Sequence, residues 1–187
     1  MVEFADAESK SPQEVAARAV ALSATVTVAL HGEPEKMLEW LRSNDLATEL
    51  TDDELGFLQT ASPSDHKRVI VSRHSAQVNV LLWALGLAEI PPADQPVDPA
   101  AFNAILPPFA EVAVDDFIAN ATLRPEDELS AERERTWNLH WQARDGGRHY
   151  KGPREPVHLG IIEERHHAIN WLTDEYGAEW DEVVTDT

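Results

Sequence analysis

Apolar residues recur along most of this chain at the three- and four-residue spacing of α-helices. The pattern is strongest from Asp65 to Leu87, where the stretch Val78–Leu85 is apolar on nearly every side. A helix without a polar face is expected to be buried all round, and Gly86 can end it in the left-handed conformation. The pattern therefore predicts one central, buried helix.

Helix-start signals divide the remainder of the chain. Ser11 and Asp98 each precede a proline, which places a capping residue just before the first helical position. Thr51 and Glu54 have the spacing of a capping box. Further predicted starts are Pro34, Pro63 or Ser64, Pro125 and Pro156.

These signals predict an all-α fold, a single compact domain over residues 1–187 with about eight helices and with disorder allowed in residues 1–10. Two long helices, 125–145 and 156–176, are joined by a basic loop at 146–153. The C-terminal tail is predicted to pack on these two helices. The proline-rich run 90–99 is predicted as a surface loop. Residues 25–28 also suit a strand, because all four are β-branched and threonine alternates with valine.

Composition narrows the setting of the protein. The 187 residues, 43% of them hydrophobic, suit one domain, and the chain has no cysteine. Disulfides, thiolate zinc sites and a cysteine nucleophile are therefore excluded, and a cytoplasmic location is expected. An acidic N-terminus and Arg18, which interrupts the apolar stretch 15–30, argue against export and membrane insertion.

The net charge is strongly negative, with 34 acidic residues against 15 lysines and arginines, or −19 at pH 7. Such a surface repels phosphate backbones and anionic membranes, so we expect neither nucleic acid nor membrane as a partner. Two interpretations remain open: a solvated acidic face that keeps the protein soluble, or an acidic surface that binds a basic protein.

Several phrases along the chain are characteristic in combination. They are Glu39-Trp40-Leu41-Arg42, Leu81-Leu82-Trp83-Ala84-Leu85-Gly86-Leu87, Leu139-His140-Trp141, Glu164-Arg165-His166-His167-Ala168-Ile169-Asn170-Trp171 and Trp180-Asp181-Glu182-Val183-Val184-Thr185-Asp186-Thr187. In this order the chain resembles a bacterial family known as domain of unknown function 4272. The resemblance implies a helical fold and a bacterial source, and it implies no activity.

A permanent charge stands on an apolar helix face near the C-terminus. On a helical wheel Arg165 falls among isoleucines and leucine, and burying an unpaired charge is very costly. We therefore predict a structural ion pair between Arg165 and Asp181 or Asp186 of the tail, with Trp180 docking the tail on the helices.

The alternative is a ligand pocket between the two long helices. The wheel places Arg133, His140 and Arg144 on one side of the first helix, so together with Arg165 and His166 they could bind a small anion. In an enzyme, the two histidines would act as acid and base and Arg144 and Arg165 as anion clamps.

Reaction motifs are absent from the sequence. Glu163 with His166, and Glu164 with His167, have the spacing found in di-iron bundles, but a matching second motif is missing. We predict no metal and no cofactor. The preferred function is a non-enzymatic adaptor or an acidic inhibitor of a basic protein, and the alternative is the anion-binding protein or enzyme with the histidine–arginine pocket.

Overall fold

The computed structural model describes residues 10–145, 154–174 and 177–186. Within these ranges the chain forms eight α-helices and no β-strand, in one compact all-α domain. The helices are α1 (Pro12–His31), α2 (Pro34–Ser43), α3 (Asp52–Gln59), α4 (Asp65–Arg73), α5 (Ser75–Ala84), α6 (Val114–Ala119), α7 (Glu126–Asp145) and α8 (Leu159–Leu172). Short 3-10 helices occur at Ala47–Glu49, Pro99–Ala104 and Trp180–Glu182. Residues 1–9, part of the segment for which disorder was predicted, and the basic loop 146–153 lie outside the described residues.

Helix α1 begins at a capping box, as its sequence indicated. The Ser11 hydroxyl accepts a hydrogen bond from the Glu14 amide at 3.2 Å, and the Glu14 carboxylate accepts one from the Ser11 amide at 2.8 Å. The helix packs against α2 to α6 and is buried along most of its length. Residues 25–28 belong to this helix, so the strand alternative is wrong. The Thr25 hydroxyl donates to the Leu22 carbonyl at 2.8 Å, which satisfies this polar group inside the helix.

The predicted central helix exists as α5, in which every residue is buried. It lies against both α1 and α8. The long helix expected over 65–87 is interrupted at His74, where α4 ends and α5 begins. This break lets α4 follow α1 while α5 turns into the core. Gly86 follows α5 with a φ of 74°, the left-handed conformation expected there.

Helix α8 is shorter than the pattern predicted. It begins at Leu159 rather than Pro156, because the preceding residue is tied to a loop: the His158 amide donates to the Ala93 carbonyl at 3.0 Å. Helices α7 and α8 pack side by side. The loop of residues 90–93 is anchored rather than free, since Ala93 is buried.

The C-terminal tail packs on α8 through aromatic contacts. The Trp180 ring lies 5.0 Å from the Trp171 ring and 4.8 Å from the His167 ring, between centroids. Farther along, the Asn170 side chain donates to the Val184 carbonyl at 2.9 Å. The tail therefore forms part of the folded domain.

Among the described helices, α1 alone is long and apolar enough to pass for a membrane span. However, 78% of its apolar window is buried inside the fold. Since the same apolar residues make the contacts with α4, α5 and α6, α1 serves here as a core helix.

Candidate functional site

Arg165 is buried, as the wheel predicted, but its partners are not those predicted. The side chain is 1% exposed. One terminal nitrogen donates to the Pro91 carbonyl at 2.8 Å and the other to the Pro92 carbonyl at 3.2 Å. Burial lowers the pKa of the guanidinium, and the nearby Glu132 carboxylate opposes this shift. Arg165 thus ties α8 to the loop 90–93.

The two tail carboxylates proposed as partners lie elsewhere. Asp181 borders a cleft with Arg18 and Trp180, and Asp186 borders a second cavity with Arg133 and His166. Within the described part of the chain, neither forms an ion pair with Arg165. The predicted pair is corrected on this point because Arg165 faces the proline-rich loop instead of the tail.

A different arginine has the environment that was predicted for Arg165. Arg18 on α1 is 2% exposed and binds the Glu54 carboxylate of α3 at two points, 2.8 Å and 2.7 Å. It also donates to the Glu49 carbonyl. Its guanidinium carbon lies 4.1 Å from the centre of the Trp180 ring. The tail indole therefore covers a buried arginine–carboxylate pair.

Sequence reasoning missed this site although a signal was present. Arg18 is the charged residue that interrupts the apolar stretch 15–30, and a charge on a buried helix face needs a partner. Glu54 belongs to the capping box and is also the partner of Arg18. It performs both roles, because its Oε2 atom accepts from the Thr51 amide at 3.0 Å and from Arg18.

An acidic cleft opens beside this buried pair. The cavity has a volume of about 480 Å³, and the tail and the ends of α1 and α8 contribute to its walls. Its carboxylates are those of Glu14, Glu49, Asp52, Glu179 and Asp181, and its aromatic residues are Trp171 and Trp180. Lys10 also borders the acidic cleft, with its ammonium 5.2 Å from the centre of the Trp171 ring.

Two carboxyl groups of the acidic cleft, Glu49 and Asp181, have raised pKa values, and burial is the main cause. Burial raises the pKa of the Glu49 carboxyl; Arg18 opposes this shift, whereas Glu14 and Glu179 add to it. Burial likewise raises the pKa of Asp181, and Glu54 reinforces that shift. A cation in the acidic cleft would favour the charged form of both carboxyl groups.

Two of the predicted histidines form a buried pair between α7 and α8. The Nδ1 atoms of His140 and His166 lie 2.8 Å apart, with the ring planes at 80°. Burial lowers the pKa of His140. It lowers the pKa of His166 to about 4, and the charges of His140 and Arg133 act in the same direction. Both rings are therefore neutral at pH 7.

A second cavity, the α7–α8 cavity, lies at this pair and has a volume of about 480 Å³. It is lined by Ser130, Arg133, Glu134, Trp137, His166, Asn170 and Asp186. Of the five residues predicted to form a pocket, only Arg133 and His166 border this cavity. His140 pairs with His166, Arg144 is exposed near the end of α7, and Arg165 faces the loop 90–93.

The predicted five-residue cluster is therefore not assembled as one site. The prediction from the helical wheel requires one side of α7 to face one side of α8 along the whole length of both helices. In the structure Arg133 and Arg144 are both exposed, so this side of α7 is not covered by α8 at either position. Trp137, expected in an aromatic interior, is 43% exposed and stacks on Trp141 with ring centroids 6.4 Å apart. In the described ranges, no group of three or more histidine, aspartate or glutamate side chains is arranged to hold a metal ion.

Comparison with known proteins gives a family and nothing more specific. A search of curated proteins and a search of solved structures found no match. The family model described as "Domain of unknown function (DUF4272)" matches residues 1–183, nearly the whole chain. The protein therefore belongs to the DUF4272 family.

Proposed function

We propose that the protein is a non-enzymatic binding protein and that the acidic cleft receives a basic segment of a partner protein. The observation that carries the proposal is the combination of five carboxylates and two indole rings around one cavity. Carboxylates bind guanidinium and ammonium groups by charge-assisted hydrogen bonds. Indole faces add a cation–π contribution that carboxylates alone do not supply.

The chain itself already uses this chemistry within the acidic cleft. The Lys10 ammonium lies over Trp171, and the Arg18 guanidinium lies against Trp180. Arg18 is buried and is already paired with the Glu54 carboxylate, which is not among the five carboxylates of the cleft. This leaves Lys10 as the other basic residue at the cleft against five carboxylates, and a basic segment would supply the missing positive charge.

The overall charge of −19 supports the same function over a longer range. A surface of one sign attracts a basic partner, raises the rate of association and makes that rate depend on salt. A cytoplasmic location suits such a protein, since the chain contains no cysteine.

A synthetic peptide of alternating arginine, lysine and glycine residues, with a fluorescent label, provides the test. We expect saturable binding by fluorescence anisotropy at low salt, with affinity that falls as salt is added. A variant with Glu179→Gln and Asp181→Asn should bind about tenfold more weakly, since loss of about 1.4 kcal/mol corresponds to that factor.

The matched control is a variant with Asp94→Asn and Glu111→Gln. These residues are exposed in loops outside the acidic cleft, so the control changes the net charge by the same amount. Its affinity should remain close to that of the original protein. Equal weakening in both variants would show that the peptide responds to net charge alone, and this result, like absence of binding at low salt, would refute the proposal.

A further inference from the structure

The hydrogen bond between His140 and His166 limits how the protons can be arranged on the two rings. A neutral imidazole carries one proton, so in a contact between two Nδ1 atoms one ring donates and the other accepts. The donor ring then has a bare Nε2 atom, and the acceptor ring carries its proton on Nε2. Two arrangements are therefore chemically possible, and the surroundings choose between them.

Glu163 selects one arrangement. Its Oε1 atom lies 3.9 Å from Nε2 of His140, and this Nε2 atom is buried without a hydrogen-bond partner among the described residues. A neighbouring carboxylate favours a proton on that nitrogen. His140 then accepts at Nδ1, and His166 donates from Nδ1. His166 is left with a lone pair on Nε2, the ring nitrogen that remains for a ligand in the α7–α8 cavity.

The charged groups of the α7–α8 cavity indicate what that ligand carries. Arg133 offers a guanidinium, and within the described ranges it forms no ion pair. Glu134 and Asp186 offer carboxylates to the same cavity. Groups of both signs suit a ligand with both charges better than a simple anion, since an anion would meet these two carboxylates as well as Arg133.

We propose that the α7–α8 cavity binds a small zwitterion of the amino-acid class, with its carboxylate at Arg133 and its ammonium at Asp186 and at the Nε2 lone pair of His166. Glu163 and His140 are positioning residues in this arrangement, because they act through His166 and do not touch the ligand. The site is separate from the acidic cleft. Its residues do not overlap with those that line the cleft, so the two proposals can fail independently.

The first test concerns the protons alone and needs no ligand. In long-range proton–nitrogen NMR spectra of the full chain labelled with ¹⁵N, at neutral pH, we expect a proton on Nδ1 of His166 and on Nε2 of His140. Glu163→Gln, a change at a half-exposed side chain, should weaken this preference. A proton on Nε2 of His166 would remove the acceptor and overturn the proposal.

The second test uses glycine and L-serine as probes, with acetate and methylammonium as compounds that carry only one of the two charges. We expect saturable shifts of the His166 nitrogens and the Trp137 indole signal with the zwitterions at millimolar concentration. Arg133→Gln should weaken binding about tenfold, or about 1.4 kcal/mol. Arg144→Gln, the same substitution on the same helix but outside the cavity, should leave the affinity unchanged.

Two outcomes would contradict this assignment. Acetate that binds as tightly as glycine would show that the ammonium group contributes nothing. Zwitterions that cause no saturable shift would show that the α7–α8 cavity does not bind this class of ligand. Since both are read from the unaltered protein, neither depends on whether a variant folds.

Discussion

The guanidinium of Arg18 and the carboxylate of Glu54 meet at two points inside the core, at 2.8 Å and 2.7 Å. The pair joins α1 to α3, and Trp180 of the tail covers it. Three segments far apart in sequence therefore depend on one buried contact. Arg18 and Trp180 also line the acidic cleft, so the stability of the fold and the shape of the cleft are linked.

Removing the carboxylate from this pair should be strongly destabilising. Glu54→Gln leaves a buried guanidinium without its counter-charge, and we expect a loss of about 3–5 kcal/mol in the free energy of unfolding. Urea denaturation followed by circular dichroism measures this. Asp53→Asn, at the neighbouring position with a side chain 93% exposed, is the control and should change stability by no more than about 0.5 kcal/mol. Comparable losses in the two variants would show that the buried pair has no special role.

Arg165 should matter for the position of the loop 90–93. Arg165→Met keeps an unbranched side chain but removes the donors to the Pro91 and Pro92 carbonyls. We expect the free energy of unfolding to fall by about 2–3 kcal/mol. The amide of Gln95, which donates to the Pro92 carbonyl, should exchange faster with deuterium. Arg144→Met, at an exposed position on α7, should leave that exchange rate unchanged; an equal rate in the Arg165 variant would contradict this role.

Glu164 should make stability fall as the pH rises through neutrality. Burial, and then the charge of Glu163, raises the pKa of its carboxyl from 4.5 to about 7. The unfolded chain therefore releases this proton before the folded protein does, so the favourable contribution is complete below pH 4.5 and is lost through pH 7. Glu164→Gln should be more stable than the original protein by about 2 kcal/mol at about pH 8. If the variant and the original protein differed in stability by the same amount at about pH 8 and at pH 4.5, this prediction would be refuted.

The titration of His167 should have the opposite effect and make stability fall as the pH is lowered. Burial, followed by the charges of Arg18 and His74, lowers its pKa from 6.5 to about 4. The unfolded chain takes up this proton first, so stability is lost as the pH falls from 6.5 towards 4. His167→Phe keeps a ring against Trp180 and removes the titration. Between pH 6.5 and pH 4 the free energy of unfolding of this variant should fall by about 3 kcal/mol less than that of the original protein. Denaturation at a series of pH values measures this difference. An unchanged slope would show that His167 takes no part.

Much of the secondary structure could be predicted because its causes are local. The capping boxes at Ser11 and Thr51 use a side chain and amides only three residues apart. The apolar stretch of α5 has no polar face to expose, so burial follows from composition alone. Gly86 stops the helical stretch after α5, because glycine adopts positive φ without a steric penalty.

The partners of the buried charges could not be predicted in the same way. The cost of burying Arg165 required some acceptor, but carbonyl oxygens and carboxylates both meet that requirement, and no sequence spacing distinguishes them. The start of α8 raised a similar difficulty. The hydrogen bond from His158 to Ala93, which delays that start, connects residues 65 positions apart.

Neighbouring residues along the chain suffice to specify the all-α domain, the buried central helix, the helix starts at Ser11 and Thr51 and the presence of buried charge on α8. Contacts between helices are what pair Arg18, rather than Arg165, with a carboxylate beneath Trp180 and bring His140 to His166. Those contacts depend on how helices rotate and approach one another, and that geometry is set by the packing of the whole core.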